Sequence, residues 1–561
     1  MAIDRRDFLG YAAMGSVLAF AKPMSALAQA APAATLELEE ITIAELQDGM
    51  ASGRWTARSI AEGYLGRIDA IDKHGPAVNS IIELNPDALA IADAMDRERK
   101  AGHVRGPLHG IPVVLKDNID TADRMATSAG SLALADNIAA RDAFVAARLR
   151  EAGAVILAKT NLSEWANFRS THSTSGWSGR GGLTKNPYVL DRNACGSSSG
   201  TGTAIAASFA AVGVGTETDG SVVCPSSASG LVGIKPTLGL ISRAGIIPIA
   251  HSQDTSGPMA RSVRDAAILL GVLTGADERD PITVSSRSKG HSDYTRFLDA
   301  GGLKGARIGV ARQYFGFNDA TDRLMKEAIE LIQSLGATIV DPANIETHGK
   351  FDATELDVLQ FEFKAGINKY LAGAPSSVKS RTLADLIKFN EDHRAEEMPY
   401  FGQELFEQSE KRGPLTDKTY LAALAKNHRL SRTEGIDATI KKHKVDAIIA
   451  PTGGPVWSTD LVNGDHFTGG YSSASAVAGY PHITVPAGLV FGLPVGISFF
   501  GEAWSEPALI KFAYAFEQGS KARRKPLRYR ADPVQHLPGE RCGDEDDEGE
   551  VVGEESASHV R

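Results

Sequence analysis

Cysteine is scarce in this chain, since only Cys195, Cys224 and Cys542 occur among 561 residues. So few cysteines exclude a disulfide framework as the basis of stability. We expect Cys195 and Cys224 to be small packing residues rather than nucleophiles, and a single bridge between them stays an open alternative. Clustered metal ligands are missing too, because the 14 histidines form neither an HExxH motif nor a Cys/His ligand spacing. The sequence therefore predicts no bound metal.

The chain also has no excess of positive charge, because it contains 59 lysines and arginines and 69 aspartates and glutamates, which gives a formal net charge of -10. Much of that negative charge lies between residues 540 and 555, so the remainder of the chain is close to neutral. Such a surface offers no electrostatic reason to bind nucleic acid or an anionic membrane. Residues 531–561 have almost no apolar side chain to bury, and we predict an acidic disordered tail there.

The apolar run near the N-terminus, FLGYAAMGSVLAFA, is too short and too interrupted for a stable membrane span. It follows Arg5 and Arg6 and precedes the small-residue stretch SALAQA, in the manner of a twin-arginine export signal. We therefore predict that residues 1–30 are a signal peptide of a periplasmic or secreted protein without a membrane anchor. The alternative, an amphipathic first helix of the mature fold, is interrupted by Lys22 and Pro23.

What is present is a pattern of short apolar strands alternating with helices. Helical patterns dominate up to Gly106, and from there GIPVVLK, DAFVAARLREAG and AVILAKTN alternate strand with helix, which indicates an α/β sheet. A section from about 353 to 441 has little β signal, and we interpret it as a helical insertion. The strand pattern resumes with VDAIIAPT and HITVPAG. Residues 31–530 are therefore predicted to form one domain.

The segment CGSSSGTGTAIAASFAAVGVGTETDGSVVC brings two serines together if its apolar middle is a helix followed by a strand. About twelve helical residues travel roughly 18 Å outward, and about six strand residues return roughly 20 Å. Ser197 then lies at a helix N-terminus beside Ser221, in a turn whose amides can converge on one oxygen. Residues 196–200 also satisfy G-x-S-x-G, but a polar loop precedes them rather than a buried strand, which argues against a Ser-His-Asp hydrolase.

Four blocks resemble, in order, the hallmark blocks of the amidase signature family. They are IPVVLKDN around Lys116, GSSSG at 196–200, GTETDGSVVCPSS around Ser221, and GLVGIKPTLGLISRAGIIP downstream. The resemblance covers about residues 36–530, and HGIPVVLKDNID, MATSAGSLAL and FEFKAG are most similar to the peptide amidase group. It implies one α/β domain with a central mixed β-sheet covered by helices on both faces. It also implies a hydrolase of carboxamides that uses no cofactor.

The same resemblance assigns roles to matching positions of this chain. It implies that Lys116 is the base, that Ser197 relays protons and follows a cis peptide bond, and that Ser221 is the nucleophile. The backbone amides of the turn would form the oxyanion hole, and a neighbouring serine would support the lysine (Thr218, Asp219 and Gly220; Ser198). The chain departs from the usual glycines at Cys195, Ser199 and Asp219. These changes affect pocket shape rather than catalysis, because backbone groups hold the oxyanion.

A lysine base must be neutral, whereas the reference pKa of a lysine is about 10.4. We expect burial of Lys116 behind the apolar run Ile111 to Leu115 to bring its pKa to about 7 to 8. Asp117 would oppose this shift if it faced the lysine, but adjacent side chains on a strand point to opposite faces.

Hydrolysis of peptide C-terminal carboxamides is the function that these residues favour, with a small-molecule or peptide amide as the substrate and a monomeric enzyme. A fatty or aryl amide hydrolase of the same family is the first alternative. An exported binding protein that keeps the fold without turnover is an alternative of another class. A role as part of an amidotransferase is disfavoured, because export would separate the chain from cytoplasmic partners. Trp165 and Trp177 are expected to pack in the core rather than to line a substrate pocket.

Overall fold

The computed structural model describes residues 36–526, so the predicted signal peptide (1–30) and acidic tail (531–561) lie outside the described residues. Met1–Glu37 and Leu38–Arg561 are separate units, and every element below belongs to the second. The strands are Ile81–Leu84 (β1), Pro112–Lys116 (β2), Val155–Thr160 (β3), Trp177–Ser178 (β4), Gly182–Leu183 (β5), Val212–Glu217 (β6), Val232–Lys235 (β7), Thr255–Ala260 (β8), Arg307–Val310 (β9), Thr338–Val340 (β10), Ala447–Pro451 (β11), His482–Val490 (β12) and Leu493–Phe500 (β13).

The α-helices follow the strands along most of the chain. They are Ile43–Ala51 (α1), Ala57–Arg67 (α2), Ala88–Lys100 (α3), Phe144–Glu151 (α4), Ser199–Ala206 (α5), Val223–Ala228 (α6), Val263–Leu273 (α7), Ser286–Lys289 (α8), Asp319–Ser334 (α9), Asp352–Ala372 (α10), Leu383–Asp392 (α11), Arg394–Glu397 (α12), Glu404–Glu410 (α13), Lys418–His428 (α14), Asp437–His443 (α15), Ser473–Ala478 (α16) and Glu506–Ser520 (α17). Helices α10 to α15 occupy the segment interpreted from the sequence as an insertion.

Eleven strands form one mixed sheet in the order β1-β3-β2-β6-β8-β7-β12-β13-β11-β9-β10. Strands β3, β2 and β6 are parallel neighbours, β6 to β11 are joined antiparallel, and β11, β9 and β10 are parallel again. Every residue of β2, β3 and β6 is buried, as expected for parallel strands covered on both faces. The prediction of an α/β domain with a mixed sheet flanked by helices is confirmed.

Helix α5 is built from small residues because it packs against backbone. All eight of its residues are buried. A Cβ on Gly200 would lie 2.3 Å from the carbonyl oxygen of Asn161, and one on Gly202 would lie 2.9 Å from that of Pro225. Both approaches are closer than real Cβ atoms allow, so larger side chains would displace the helix. The close packing fixes the N-terminal end of α5, where Ser197 and Ser198 lie.

The inserted helices share an apolar cluster with the loop after β3. Trp165 is 2% exposed and meets Phe406 of α13 edge to face, with 5.6 Å between ring centroids. Trp177 is 6% exposed and contacts Phe401 in the same manner at 5.2 Å. The expectation that both tryptophans pack in the core is confirmed. Tyr370 of α10 ties the insertion to the loop after β2, since its hydroxyl donates to Asp120 at 2.7 Å.

Candidate active site

Lys116 is the last residue of β2, and its ammonium nitrogen is fully buried among oxygen atoms. Its Nζ lies 2.7 Å from Ser197 Oγ, 2.9 Å from Thr216 Oγ1 and 3.3 Å from the Thr216 carbonyl oxygen. Burial lowers the pKa of Lys116 to about 7, although the carboxylates of Glu217 and Asp254 oppose the shift. Near neutral pH a large fraction of this lysine is therefore uncharged and able to accept a proton.

Asp117 faces away from Lys116, as alternation along a strand requires. Its carboxylate accepts hydrogen bonds from the hydroxyl and amide of Ser128 and lies 3.6 Å from the guanidinium of Arg180. The lysine therefore has no carboxylate from its own strand to hold it in the charged form.

Ser197 follows a cis peptide bond from Gly196, and Ser198 directly precedes α5. Ser198 acts on the backbone of β6 rather than on the lysine itself. Its hydroxyl donates to the Thr216 carbonyl at 3.1 Å and accepts from the Thr216 amide at 3.2 Å. Its amide donates to the carbonyl of Ser221 at 3.2 Å. Ser198 thus links the strand that contacts Lys116 to the turn that contains Ser221.

Thr218 to Ser221 form a turn between β6 and α6, with Gly220 at φ 76°, a left-handed conformation that favours glycine. Glu217 closes this turn, since its Oε2 accepts the amides of Val222 at 2.7 Å and Val223 at 3.0 Å. Within residues 36–526, the amides of Asp219, Gly220 and Ser221 donate to no other group. They are therefore available to an oxyanion.

Two side chains hold the outer face of the turn. Thr218 Oγ1 donates to Asp254 Oδ1 at 2.6 Å, and Ser473 Oγ donates to Asp219 Oδ2 at 2.6 Å. Burial raises the pKa of Asp219 above its ordinary value. The aspartate that departs from the usual glycine is thus directed towards α16.

The site also includes three residues for which the sequence predicts no role, namely Thr216, Asn118 and Glu217. Asn118 Nδ2 donates to Thr216 Oγ1 at 3.0 Å, and this hydrogen bond orients the hydroxyl that contacts Lys116. Strand alternation does not mark Asn118, because β2 ends at Lys116 and Asn118 lies in the turn that follows. A cavity of about 320 Å³ adjoins these residues, and Ile246, Ile247 and Ile249 contribute apolar atoms to its wall. Its lining includes Asn118, Ala166, Thr216, Thr218, Ile246 and Tyr370.

Cys195 and Cys224 form a disulfide with 6.0 Å between their Cα atoms. The expectation of two separate packing residues is therefore wrong, and the alternative left open is the one realised. The physical reason is the closeness of the two serine-bearing segments, which brings the flanking cysteines within bonding reach.

Features of other classes of site are absent from the described part of the chain. Residues 36–526 contain no group of three or more histidine, cysteine, aspartate or glutamate side chains placed to hold a metal ion. None of the helices in that range combines the length and apolar character needed to cross a bilayer.

Comparison with known proteins adds to this geometry. The family model described as Amidase matches residues 60–510. The chain belongs to the amidase family. The matched range includes Lys116, Ser197 and Ser221. A probable amidase of Arabidopsis thaliana is 42% identical over 503 residues, which covers 88% of this amidase and 92% of the relative.

Solved structures give the same assignment. The native peptide amidase of Stenotrophomonas maltophilia is 48% identical to this amidase, with a TM-score of 0.82 and coverage of 87% and 98%. A complex of the peptide amidase PAM with the competitive inhibitor chymostatin is 49% identical, with a TM-score of 0.84 and coverage of 87% and 99%. The predicted resemblance to the amidase signature family and to peptide amidase is confirmed, and so is the prediction of an enzyme.

Proposed function

We propose that this amidase hydrolyses the C-terminal carboxamide of peptides to a free acid and ammonia, through an acyl-enzyme on Ser221. The contact that carries the proposal is the 2.7 Å approach of buried Lys116 Nζ to Ser197 Oγ. A base with a pKa of about 7 beside a hydroxyl, on a segment hydrogen-bonded to Ser221, suits proton transfer at neutral pH. Similarity to peptide amidase supports peptides as the substrate class.

Acylation begins when Ser221 Oγ attacks the carbonyl carbon of the carboxamide. The Ser221 proton passes to Ser197 Oγ, while the proton of Ser197 passes to the neutral amine of Lys116. The carbonyl π electrons move to oxygen, and the amides of Asp219 to Ser221 stabilise the resulting oxyanion. The products of this step are a tetrahedral intermediate and a protonated Lys116.

Collapse of the intermediate breaks the carbon–nitrogen bond. Ser197 donates its proton to the leaving nitrogen and receives one from Lys116, so ammonia departs and the lysine is neutral again. Water then attacks the acyl-serine, gives a proton to the same relay, and releases the acid and free Ser221. No cofactor is needed in this sequence.

Substrate class is tested by ammonia release from matched peptide, fatty and aromatic carboxamides at equal concentration. We expect the highest kcat/KM for peptide amides, and a peptide of the same sequence with a free carboxylate should be inert. A preference for long acyl chains would instead favour the fatty amide hydrolase.

Catalytic roles are tested by labelling with a serine-directed phosphonate. We expect modification of Ser221, its loss in Ser221→Ala, and slowing of at least about 100-fold in Lys116→Ala, because general base catalysis contributes roughly 10²- to 10⁴-fold. A protein that binds peptide amides without labelling or turnover would be the exported binding protein of the other class.

Residues 1–30 and 531–561 carry two further proposals. We propose that the enzyme is exported as a monomer by a twin-arginine signal, and that the acidic tail does not contribute to hydrolysis. Cell fractionation with Arg5→Lys/Arg6→Lys as the matched variant checks the export proposal. Retention of the wild-type chain in the cytoplasm would reject it.

A further inference from the structure

The Cys195–Cys224 disulfide joins the two segments that bear the reacting serines. Cys195 lies two residues before Ser197, and Cys224 lies three residues after Ser221. The relay described above uses neither sulfur. A covalent link at this place nevertheless constrains the separation of the two hydroxyls between which a proton must move.

The backbone of each cysteine is hydrogen-bonded to a residue near its own serine. The Cys195 carbonyl accepts a hydrogen bond from Ser199 Oγ at 2.6 Å, and the Cys224 amide donates to the Gly220 carbonyl at 2.8 Å. The hydrogen bond from the Ser198 amide to the Ser221 carbonyl, at 3.2 Å, is a second link between the same two segments. Opening of the disulfide would leave that hydrogen bond, together with the packing of α5 against Pro225 of α6, to hold the two segments together.

The two sulfurs differ in access. Cys195 is 5% exposed, whereas Cys224 is half-buried and lines a small cavity with Trp457 and Phe467. A small thiolate in solvent therefore reaches Cys224 more readily than Cys195, which the neighbouring chain shields. Such a difference makes Cys224 the sulfur that is attacked and Cys195 the leaving group.

We propose that the Cys195–Cys224 disulfide is a redox-controlled positioning element for the relay between Ser197 and Ser221. A small-molecule thiolate attacks Cys224 Sγ, the sulfur–sulfur bond breaks, and Cys195 leaves as a thiolate that takes up a proton. A second thiolate then attacks the mixed disulfide, which releases the oxidised small-molecule disulfide and the Cys224 thiolate. Two thiols are oxidised and one cystine is reduced.

The consequence follows from the geometry of proton transfer. In the oxidised enzyme the serines are held in register with Lys116, and in the reduced enzyme the Ser221 turn can move relative to α5. A displacement of about 1 Å costs roughly 100-fold in rate when reacting groups must be aligned. This inference rests on the proposed function, and an oxidising compartment outside the cytoplasm would keep the enzyme in its active form.

The test is a graded reduction of the intact purified enzyme in dithiothreitol redox buffers, far below its unfolding temperature. Free thiols, circular dichroism, and kcat and KM for a peptide amide are measured at each potential. We expect kcat to fall about 10- to 100-fold with little change in KM, since alignment rather than binding is lost. The circular dichroism should stay native, and reoxidation should restore kcat.

Variants separate this effect from general damage by the reductant. Cys195→Ser/Cys224→Ser should have the kcat of the reduced enzyme and should not respond to thiol, whereas Cys542→Ser should behave as wild type. If the double variant does not fold, the graded reduction of wild type still decides. Unchanged kcat in a folded, fully reduced enzyme would overturn the proposal, and so would loss of activity that follows loss of circular dichroism.

Failure of this inference can be told apart from failure of the proposed function. An oxidised enzyme that releases no ammonia from any carboxamide would reject the function. The rate of phosphonate labelling at Ser221 would still report whether the disulfide aligns that serine.

Discussion

Replacement of Lys116 by methionine should abolish hydrolysis and yet stabilise the folded enzyme. The pKa of this lysine is about 7 in the folded protein and 10.5 as the ordinary value. Between pH 7 and 10.5 the unfolded chain therefore binds more protons than the folded chain, so wild-type stability rises with pH in this window. The methionine variant has no such titration.

The magnitude follows from the pKa difference. With about 1.4 kcal/mol per pKa unit, burial of Lys116 costs the wild type about 4 kcal/mol at pH 7 and about 2 kcal/mol at pH 9. Loss of the hydrogen bonds to Ser197 and Thr216 offsets about 1 kcal/mol each. Lys116→Met should therefore be about 2 kcal/mol more stable than wild type at pH 7 and nearly equal to it at pH 9.

Urea unfolding of wild type, Lys116→Met and Ser221→Ala at pH 7 and pH 9 measures this difference. Ser221→Ala is the matched inactive control, because it removes turnover without removing the buried amine. In wild type, kcat/KM should rise with pH through about 7 and then level off. A stability difference that is the same at both pH values, or a rate that does not depend on pH across this range, would refute the reasoning.

Three further substitutions have defined outcomes. Glu217→Gln should lower kcat about tenfold by loosening the turn, and should move the ascending limb of the pH–rate profile to lower pH, because the charge of Glu217 raises the pKa of Lys116. Asn118→Ala should lower kcat about tenfold with KM unchanged, since it removes the donor that orients Thr216; a purely raised KM in steady-state assays would contradict this. The buried guanidinium of Arg169 lies 2.5 Å from Glu164 and 3.7 Å from Glu397, so Arg169→Met should destabilise the fold by about 3 to 5 kcal/mol in urea unfolding by leaving these buried groups without their partner, and an unchanged midpoint would contradict this.

The juxtaposition of the two serines could be predicted from local rules. Strand β6 has the six residues expected, whereas α5 has eight rather than about twelve. The predicted proximity of Ser197 and Ser221 does not depend on the exact helix length, because a helix followed by a strand brings the chain back to the edge of the sheet at which the helix begins. The order of the eleven strands could not be predicted, since the positions of β7, β8 and β12 depend on long-range antiparallel pairing.

The disulfide was missed for a different reason. Composition does not indicate a bridge, because only three cysteines occur in a chain of 561 residues. The spacing that places Ser197 beside Ser221 also brings Cys195 near Cys224, so the sequence contains a signal for the bridge. Thr216 and Asn118 were missed because threonine and asparagine are common in strands and loops, and their chemistry emerges only when a lysine amine lies opposite them.

The proposed relay residues and the inserted helices occupy different parts of the fold, which affects how substrate selectivity can change. The residues proposed to move protons lie at the end of β2, just before α5 and in the turn after β6, whereas α10 contributes Tyr370 to the wall of the adjacent cavity. Because β10 and β11 flank the insertion and lie apart from β2 and β6 in the sheet, the parts of its helices that do not contact the loops after β2 and β3 can vary without changing the register of those strands. Changes in this one segment can therefore alter the acyl preference of the enzyme, while Lys116, the two serines and the charged groups around them stay the same.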